Sequence, residues 1–285
     1  MNASTNFKKI ILDIENNGTL SQPRDMKVKE LTIDSRLFDP KHTISNFTER
    51  KFNWKYFAGE LVWYLNKDRD VKYISKFSNF WNNITNPNSN EINSNYGSLL
   101  FGDQLKWVID SLKADKNTRQ AIAFLNQPKF QFNGNKDFVC TMYMNFFIRD
   151  NKLNMKVQMR SNDVFYGLTF DAPFFAFIQQ HLRLWLLETY PELELGTYYH
   201  CADNIHFYER HFNLANSIVS EKVESTQFEM DIKKPLFYID QDSNMQLTIH
   251  GSSFINSVNR AIDTEQFTQL YYNNILASYL NIKKI

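Results

Sequence analysis

DFVCTMYMNFFIRDNKLNMKVQMRSNDVFYGLTFDAPFFAF, residues 137–177, is the stretch that decides the fold. Asp137 to Ile148 and Leu153 to Met159 read as two strands, and Arg149-Asp150-Asn151-Lys152 as the hairpin turn between them. An apolar helix is expected from Pro173 to Tyr190, with the proline in its first turn and Phe174, Phe177, Ile178 and Leu182 on its buried side. Such a hairpin carries Arg160, at the end of the second strand, back beside Cys140 at the start of the first.

Outward from this stretch, helices and strands mix without a βαβ rhythm, so the fold class is α+β. Trp54, Phe57, Ala58, Leu61, Val62 and Leu65 recur at helical spacing and predict a helix over 54–66. A shorter amphipathic helix is expected over 7–15, with Ile10, Ile11 and Ile14 on its apolar side, and a strand over Lys27 to Ile33. Residues 82–95 are Asn-rich and polar and read as a surface loop long enough to carry function. Residues 104–113 look helical, Tyr198 to Tyr208 looks like a short strand and loop, helical signal returns towards 217, and Thr264 to Leu280 is helical again.

With 285 residues, 43% of them hydrophobic and 15% aromatic, the chain can fill a sizeable core. It reads as one domain over 1–285. A net charge of +1 leaves no basic field for a nucleic-acid polymer, so a small ligand is expected, with any anion site built locally from a few arginines. The two cysteines, Cys140 and Cys201, form neither a disulfide framework nor a zinc pattern, and no metal is expected. The N-terminus lacks a signal-peptide pattern, and no apolar run reaches the ~18 residues of a membrane span, which predicts a soluble cytoplasmic protein with no membrane partner.

Several residues carry possible chemistry. Cys140 is either a small core residue or a nucleophile that needs a nearby cation. Arg160-Ser161-Asn162-Asp163 is either a polar turn ending a strand or an anion site with further polar contacts. Glu60, on the apolar helix, is either an edge residue or a buried carboxyl with a shifted pKa. His206 and Tyr208 share one face if their segment is extended.

These features occur together in one known family. Residues 137–177 resemble the catalytic core of the thymidylate synthases, in which a Cys nucleophile is followed by Arg-Ser-x-Asp and then Phe-x-Gly. ELVWYL (60–65), EINSNYG (91–97) and HFYERH (206–211) resemble further motifs of that family, in the same order. The resemblance covers about residues 20–215 and leaves 216–285 unassigned. It implies a thymidylate-synthase-like fold, a mixed sheet flanked by helices, with one sheet face forming an obligate homodimer. It implies a pyrimidine nucleoside monophosphate as substrate and 5,10-methylenetetrahydrofolate as co-substrate. Cys140 would attack C6 of the base, Tyr96 would assist loss of the C5 proton and Glu60 would organise water and protons. Arg160 and Ser161, with Asn162 beside them, would bind the nucleotide, joined by Arg24 in SQPRDMK and by Arg119 in NTRQ from the partner subunit. Gln120 stands where the family usually has a second arginine. His206 and Tyr208 would hold the ribose. Asp163, Trp81, Gly167 and Phe170 would meet the folate.

Asp171 stands where the thymidylate-forming members carry Asn. An ionised carboxylate cannot donate to O4 of uracil, but it accepts from the exocyclic amine of cytosine. The plainer alternative is a helix N-cap ahead of Pro173. Asp171, Thr141 after the nucleophile and the NEINSNYG and MRSNDV stretches resemble the bacteriophage deoxycytidylate hydroxymethylase branch. Ile84 stands where the synthases tend to have a second Trp. The expected reaction is therefore hydroxymethylation of dCMP. Methylation of dCMP, thymidylate synthesis, CMP as substrate, and a non-catalytic relative that binds nucleotide or RNA are the alternatives.

Overall fold

The computed structural model describes residues 3–86, 88–220, 223–264 and 268–285. The first helix, α1, spans Ala3–Asn17, longer than expected, and buries Phe7, Ile10, Ile11 and Ile14. Strand β1 (Thr19–Ser21) pairs antiparallel with β2 (Val28–Phe38). The link between them holds Arg24 and Asp25 at positive φ, 51° and 61°. β2 does not stop at Ile33. Ile33 adopts φ 59° and is skipped in the pairing, so the strand bulges there and continues.

Helix α2 keeps the expected bounds, Trp54–Asn66. Its ends explain why. The Asn53 side chain accepts from the Tyr56 backbone N–H, and Lys67 closes the other end in a left-handed conformation. The short α3 (Val71–Ile74) follows. The described part of the loop over 82–95 is largely irregular. Asn93 Nδ2 donates to the Asp137 carbonyl at 2.9 Å, and the Ser94 N–H donates to Asp137 Oδ2 at 2.7 Å. Helices α4 (Tyr96–Leu100) and α5 (Asp103–Ala114) come next, then β3 (Ile122–Phe124), which has no counterpart among the sequence expectations.

The hairpin is β4 (Thr141–Arg149) and β5 (Lys152–Met159). Asp150 and Asn151 both have positive φ, as a two-residue turn between twisted strands requires. β4 starts later than the pattern predicts, because Asp137 is tied to Asn93 and Ser94 instead of to a strand partner. A two-residue strand β6 (Asn162–Asp163) leads through a π-type turn, Val164–Leu168, into α6 (Thr169–Leu186). The helix thus begins before Pro173. Asp163 Oδ1 accepts from the N–H groups of Phe165 and Tyr166, at 2.6 and 2.7 Å, so the chain turns early. Asp171 lies inside the first turn of α6 and caps nothing.

Strand β7 (Glu194–Tyr208) is a single 15-residue strand, longer than expected. It pairs antiparallel with β2 and parallel with β5 and β6, giving a seven-stranded mixed sheet in the order β1-β2-β7-β5-β4-β3. The fold class is α+β, as expected. Met144, Phe146, Leu153, Met155, Val157, Tyr198 and Ala202 face inward against Phe174, Phe175, Phe177 and Ile178 of α6. Each aromatic or aliphatic side chain buried there contributes about 1.5–3 kcal/mol. The opposite sheet face shows Leu37 and, at the bulge, Ile33 to solvent.

After β7 come α7 (Phe212–Val219), β8 (Phe228–Met230), the β9–β10 hairpin (Phe237–Ile239, Met245–Leu247), α8 (Ile249–Asp263), α9 (Gln269–Leu280) and β11 (Ile282–Lys284), which pairs with β8. The helix expected from Thr264 begins at Gln269, and residues 265–267 of that expectation lie outside the described residues. Buried polar groups of α6 stitch this part down. Gln180 exchanges hydrogen bonds with Met230 and Ile232, and His181 Nε2 accepts from the Leu236 N–H. Among the described residues, no helix is long and apolar enough to cross a membrane.

Gly97 allows α4 to close onto α2, since a Cβ there would sit 1.8 Å from the Tyr64 carbonyl oxygen. Gly97→Ala is expected to destabilise the protein by about 1–3 kcal/mol, the cost of overpacking. Urea unfolding measures this, and an unchanged midpoint would show that the two helices separate freely.

Candidate active site

The hairpin delivers the expected pair. The Arg160 N–H donates to the Cys140 carbonyl at 2.9 Å, and Arg160 Nη2 lies 3.4 Å from Cys140 Sγ. The guanidinium also donates to the carbonyls of Phe138 and Val139 and lies over the Phe138 ring. Burial nevertheless pushes the Cys140 thiol up, with Arg160 and Arg24 pulling the other way and Asp171 and Asp137 adding to the rise. Cys140 is therefore a thiol at rest, with cations in place to stabilise the thiolate once it forms.

Glu60 is buried, not an edge residue. Burial first, and the charge of Asp171 second, raise its pKa to about 8, while hydrogen bonds from Tyr56 and Tyr64 oppose the shift. Tyr56 Oη donates to Glu60 Oε1 at 2.8 Å, and Trp81 Nε1 donates to Tyr56 Oη at 3.1 Å. Trp81 thus supports Glu60 through Tyr56. Tyr96 stacks on Tyr64, with ring centroids 5.5 Å apart. Burial, together with the charges of Asp171, Cys140 and Glu60, holds the Tyr96 phenol un-ionised.

Asp171 joins the same cluster. Asn162 Nδ2 donates to Asp171 Oδ2 at 2.7 Å, and burial raises this carboxyl to about 6. Gly167 packs where a Cβ would come within 2.7 Å of Asn162 Nδ2 and 3.1 Å of Asp171 Oδ2, so a side chain there would wedge the pair apart. Asn162 Oδ1 faces His200 Nε2 at 3.1 Å.

His206 and Tyr208 share a face, with rings 5.3 Å apart. Burial lowers the His206 pKa to about 4, so the ring is neutral. Its Nδ1 donates to Asn204 Oδ1 at 2.9 Å, and Asn204 in turn donates to Glu30. That leaves Nε2 as an acceptor. Arg24 is exposed on its left-handed turn and acts electrostatically on Cys140, His206 and Tyr208. Ser161 sits partly buried beside Arg160. Phe170 packs on Tyr56 and Phe52.

The expected co-substrate can be tested against Asp163. Its Oδ1 is used in the turn, whereas Oδ2 is buried with no hydrogen-bond partner. An acceptor left without a donor fits an N–H-bearing ring. Burial raises this carboxyl to about 6, with Arg210 and Arg50 opposing. Among the described residues, no group of three or more His, Cys, Asp or Glu side chains converges on a metal position.

Arg119 is the candidate that the chain does not bring to this cluster by itself. It is exposed just after α5. Residues absent from the sequence expectations are Tyr56 and Tyr64, His200 and Tyr198, Arg50, and Asn204. The two tyrosines were findable, since they lie four residues on either side of Glu60 and so share its helix face. Arg50 carried no local signal. It reaches the Phe165 carbonyl from 115 positions away.

The thymidylate synthase family profile matches residues 5–253. The chain is 31% identical over 175 residues to the deoxycytidylate 5-hydroxymethyltransferases of Enterobacteria phages T6 and T4, covering 58% of this chain and 71% of each relative. It is 28% identical over 251 residues to the deoxyuridylate hydroxymethyltransferase of Bacillus phage SP01, covering 79% of this chain and 62% of the relative. It is 25% identical over 207 residues to the thymidylate synthase of Mycoplasma genitalium, covering 61% and 70%. The chain belongs to the thymidylate synthase family and is a transferase of that family, whose members use methylenetetrahydrofolate as co-substrate.

Carbon-13 NMR of the Glu60 carboxyl is expected to show a midpoint near the raised value of about 8. Asp171→Asn removes a neighbouring negative charge and should lower it. A wild-type midpoint at the ordinary 4.5 would mean that water reaches the carboxyl freely.

Proposed function

We propose that the protein transfers a one-carbon unit to C5 of dCMP and that water completes the reaction, giving 5-hydroxymethyl-dCMP and tetrahydrofolate. The observation that carries the base assignment is Asp171. Its Oδ2 accepts from the Asn162 amide, which keeps the group an acceptor and leaves Oδ1 for the exocyclic amine of cytosine. Uracil offers O4 at that place, and two acceptors facing each other in a buried site cost about 1–3 kcal/mol. The names of the phage T6 and T4 relatives agree with this choice.

The residues divide the work. Cys140 Sγ adds to C6, which makes C5 nucleophilic, and the thiol proton leaves as Arg160 stabilises the thiolate. Methylenetetrahydrofolate supplies the carbon at the oxidation level of formaldehyde. Asp163 Oδ2 accepts from its ring, with Trp81, Gly167 and Phe170 shaping that side of the site. Tyr96, un-ionised, passes the C5 proton by hydrogen bonding and does not act as a standing tyrosinate. Glu60, with a pKa near the working pH, takes a proton from the water that adds to the new carbon. Re-expulsion of Cys140 from C6 frees the product. Arg24, Arg160 and Ser161 neutralise the 5′-phosphate, and His206 and Tyr208 meet the ribose. Arg119 reaches the phosphate from a second copy docked on the outer sheet face, where Leu37 and Ile33 are exposed. Gln120 leaves that clamp one charge short.

A second reading has support of its own. The SP01 relative aligns over more of this chain and is named for deoxyuridylate. Under that reading the hydroxymethyl chemistry stands and the base is uracil.

One assay separates these readings. With methylenetetrahydrofolate, dCMP is expected to gain CH₂O with release of tetrahydrofolate. Gain of CH₂ with dihydrofolate would mean methyl transfer, and turnover of dUMP alone would establish the second reading. Asp171→Asn should move preference towards dUMP by about tenfold or more, the worth of one buried hydrogen bond. Dimerisation has its own check. Mixing Cys140→Ala with Arg119→Glu protein should restore activity that neither variant has alone, and monomers by sedimentation would rule the shared site out.

A further inference from the structure

Two polar side chains on the inner sheet face take no part in the steps above. Tyr198 and His200 are fully buried, two residues apart on β7, among positions otherwise filled by Met, Val, Phe and Ala. Tyr198 Oη lies 2.6 Å from His200 Nδ1, His200 Nε2 lies 3.1 Å from Asn162 Oδ1, and Asn162 Nδ2 lies 2.7 Å from Asp171 Oδ2. The four groups form one unbranched chain that ends at the carboxyl.

Its direction follows from the chemistry of each member. An ionised Asp171 only accepts, so the Asn162 NH₂ must face it and the amide oxygen must face His200. That oxygen only accepts, so His200 carries its proton on Nε2. Nδ1 then accepts, and the Tyr198 hydroxyl donates. Burial keeps His200 neutral, with its pKa lowered to about 3, and keeps Tyr198 un-ionised. Phe38 stacks on Tyr198 at 5.4 Å and meets the His200 ring edge-on, so neither ring is free to turn away. Without the Tyr198 hydroxyl the opposite polarity becomes accessible. Nδ1 would carry the proton, Asn162 would turn its oxygen to Asp171, and a protonated Asp171 would be favoured.

We infer that Tyr198 and His200 are positioning residues for base selection, holding the Asp171 carboxyl, through Asn162, as an acceptor turned to the exocyclic amine of a cytosine nucleotide. The inference rests on the reading of Asp171 as the base contact.

The test is the ratio of kcat/KM for dCMP over dUMP in wild type, Tyr198→Phe, His200→Leu, His200→Gln and Asp171→Asn. Tyr198→Phe and His200→Leu should each lower the ratio by about tenfold, the worth of one hydrogen bond. The loss should fall on the KM for dCMP, with the KM for folate unchanged. His200→Gln keeps an N–H donor towards Asn162 and should retain most of the ratio. Tyr198→Phe preserves shape, so it decides the matter if His200→Leu does not fold. An equal loss on both nucleotides, or an unchanged ratio in Tyr198→Phe while Asp171→Asn shifts it, overturns the inference and leaves the base contact standing. An unchanged ratio in Asp171→Asn overturns both.

Discussion

The hydrogen bond from the Arg160 N–H to the Cys140 carbonyl is the rung on which the rest depends. It closes the open end of the β4–β5 hairpin. It also sets a cation beside a thiol twenty positions away in sequence. Everything after it in the chain is placed by short steps. Two residues of strand, one side-chain-capped turn and the first turn of α6 bring Asn162, Asp163 and Asp171 into the same cluster. A slip of one residue in the hairpin register would send each of these side chains to the opposite sheet face.

Burial is the common cause of the electrostatics. Glu60, Asp163 and Asp171 are all raised, His200 and His206 are lowered, and Cys140 is held as a thiol, in each case with loss of water as the largest effect. Individual hydrogen bonds then set the differences. Glu60 receives two phenols, Asp171 an amide and Asp163 two backbone N–H groups. The site thereby holds neutral and charged groups side by side near neutral pH, a condition that proton transfer in both directions requires.

Much of this was legible beforehand because it is local. Helix 54–66 showed both its period and its capping Asn53, and the hairpin showed its alternation and its turn. What escaped was set by distant partners. Strand β4 starts late because Asp137 serves a loop more than forty positions upstream. The helix α6 starts early because the Asp163 side chain turns the chain before Pro173 can act as a first-turn signal. Strand β3 is three residues long and exists only as a rung on β4. His200 and Tyr198 read as ordinary strand residues, since no local pattern reveals that Asn162 lies across from them.

The packing of α9 on α2 has a consequence for how the protein is made. Gln269 Nε2 donates to the Oδ1 of Asn53, the capping residue of the helix that carries Glu60, across 216 positions of sequence. Tyr73, just after that helix, likewise bonds Asn259 of α8, 186 positions on. On the ribosome, the N-terminal half therefore waits with one flank of this helix uncovered until almost the whole chain has emerged. Such long-range closure is slow and leaves apolar surface open in the interval. The nucleophile's hairpin can form early from its own neighbours, whereas the carboxyl that handles protons gains its full surroundings among the last steps of folding.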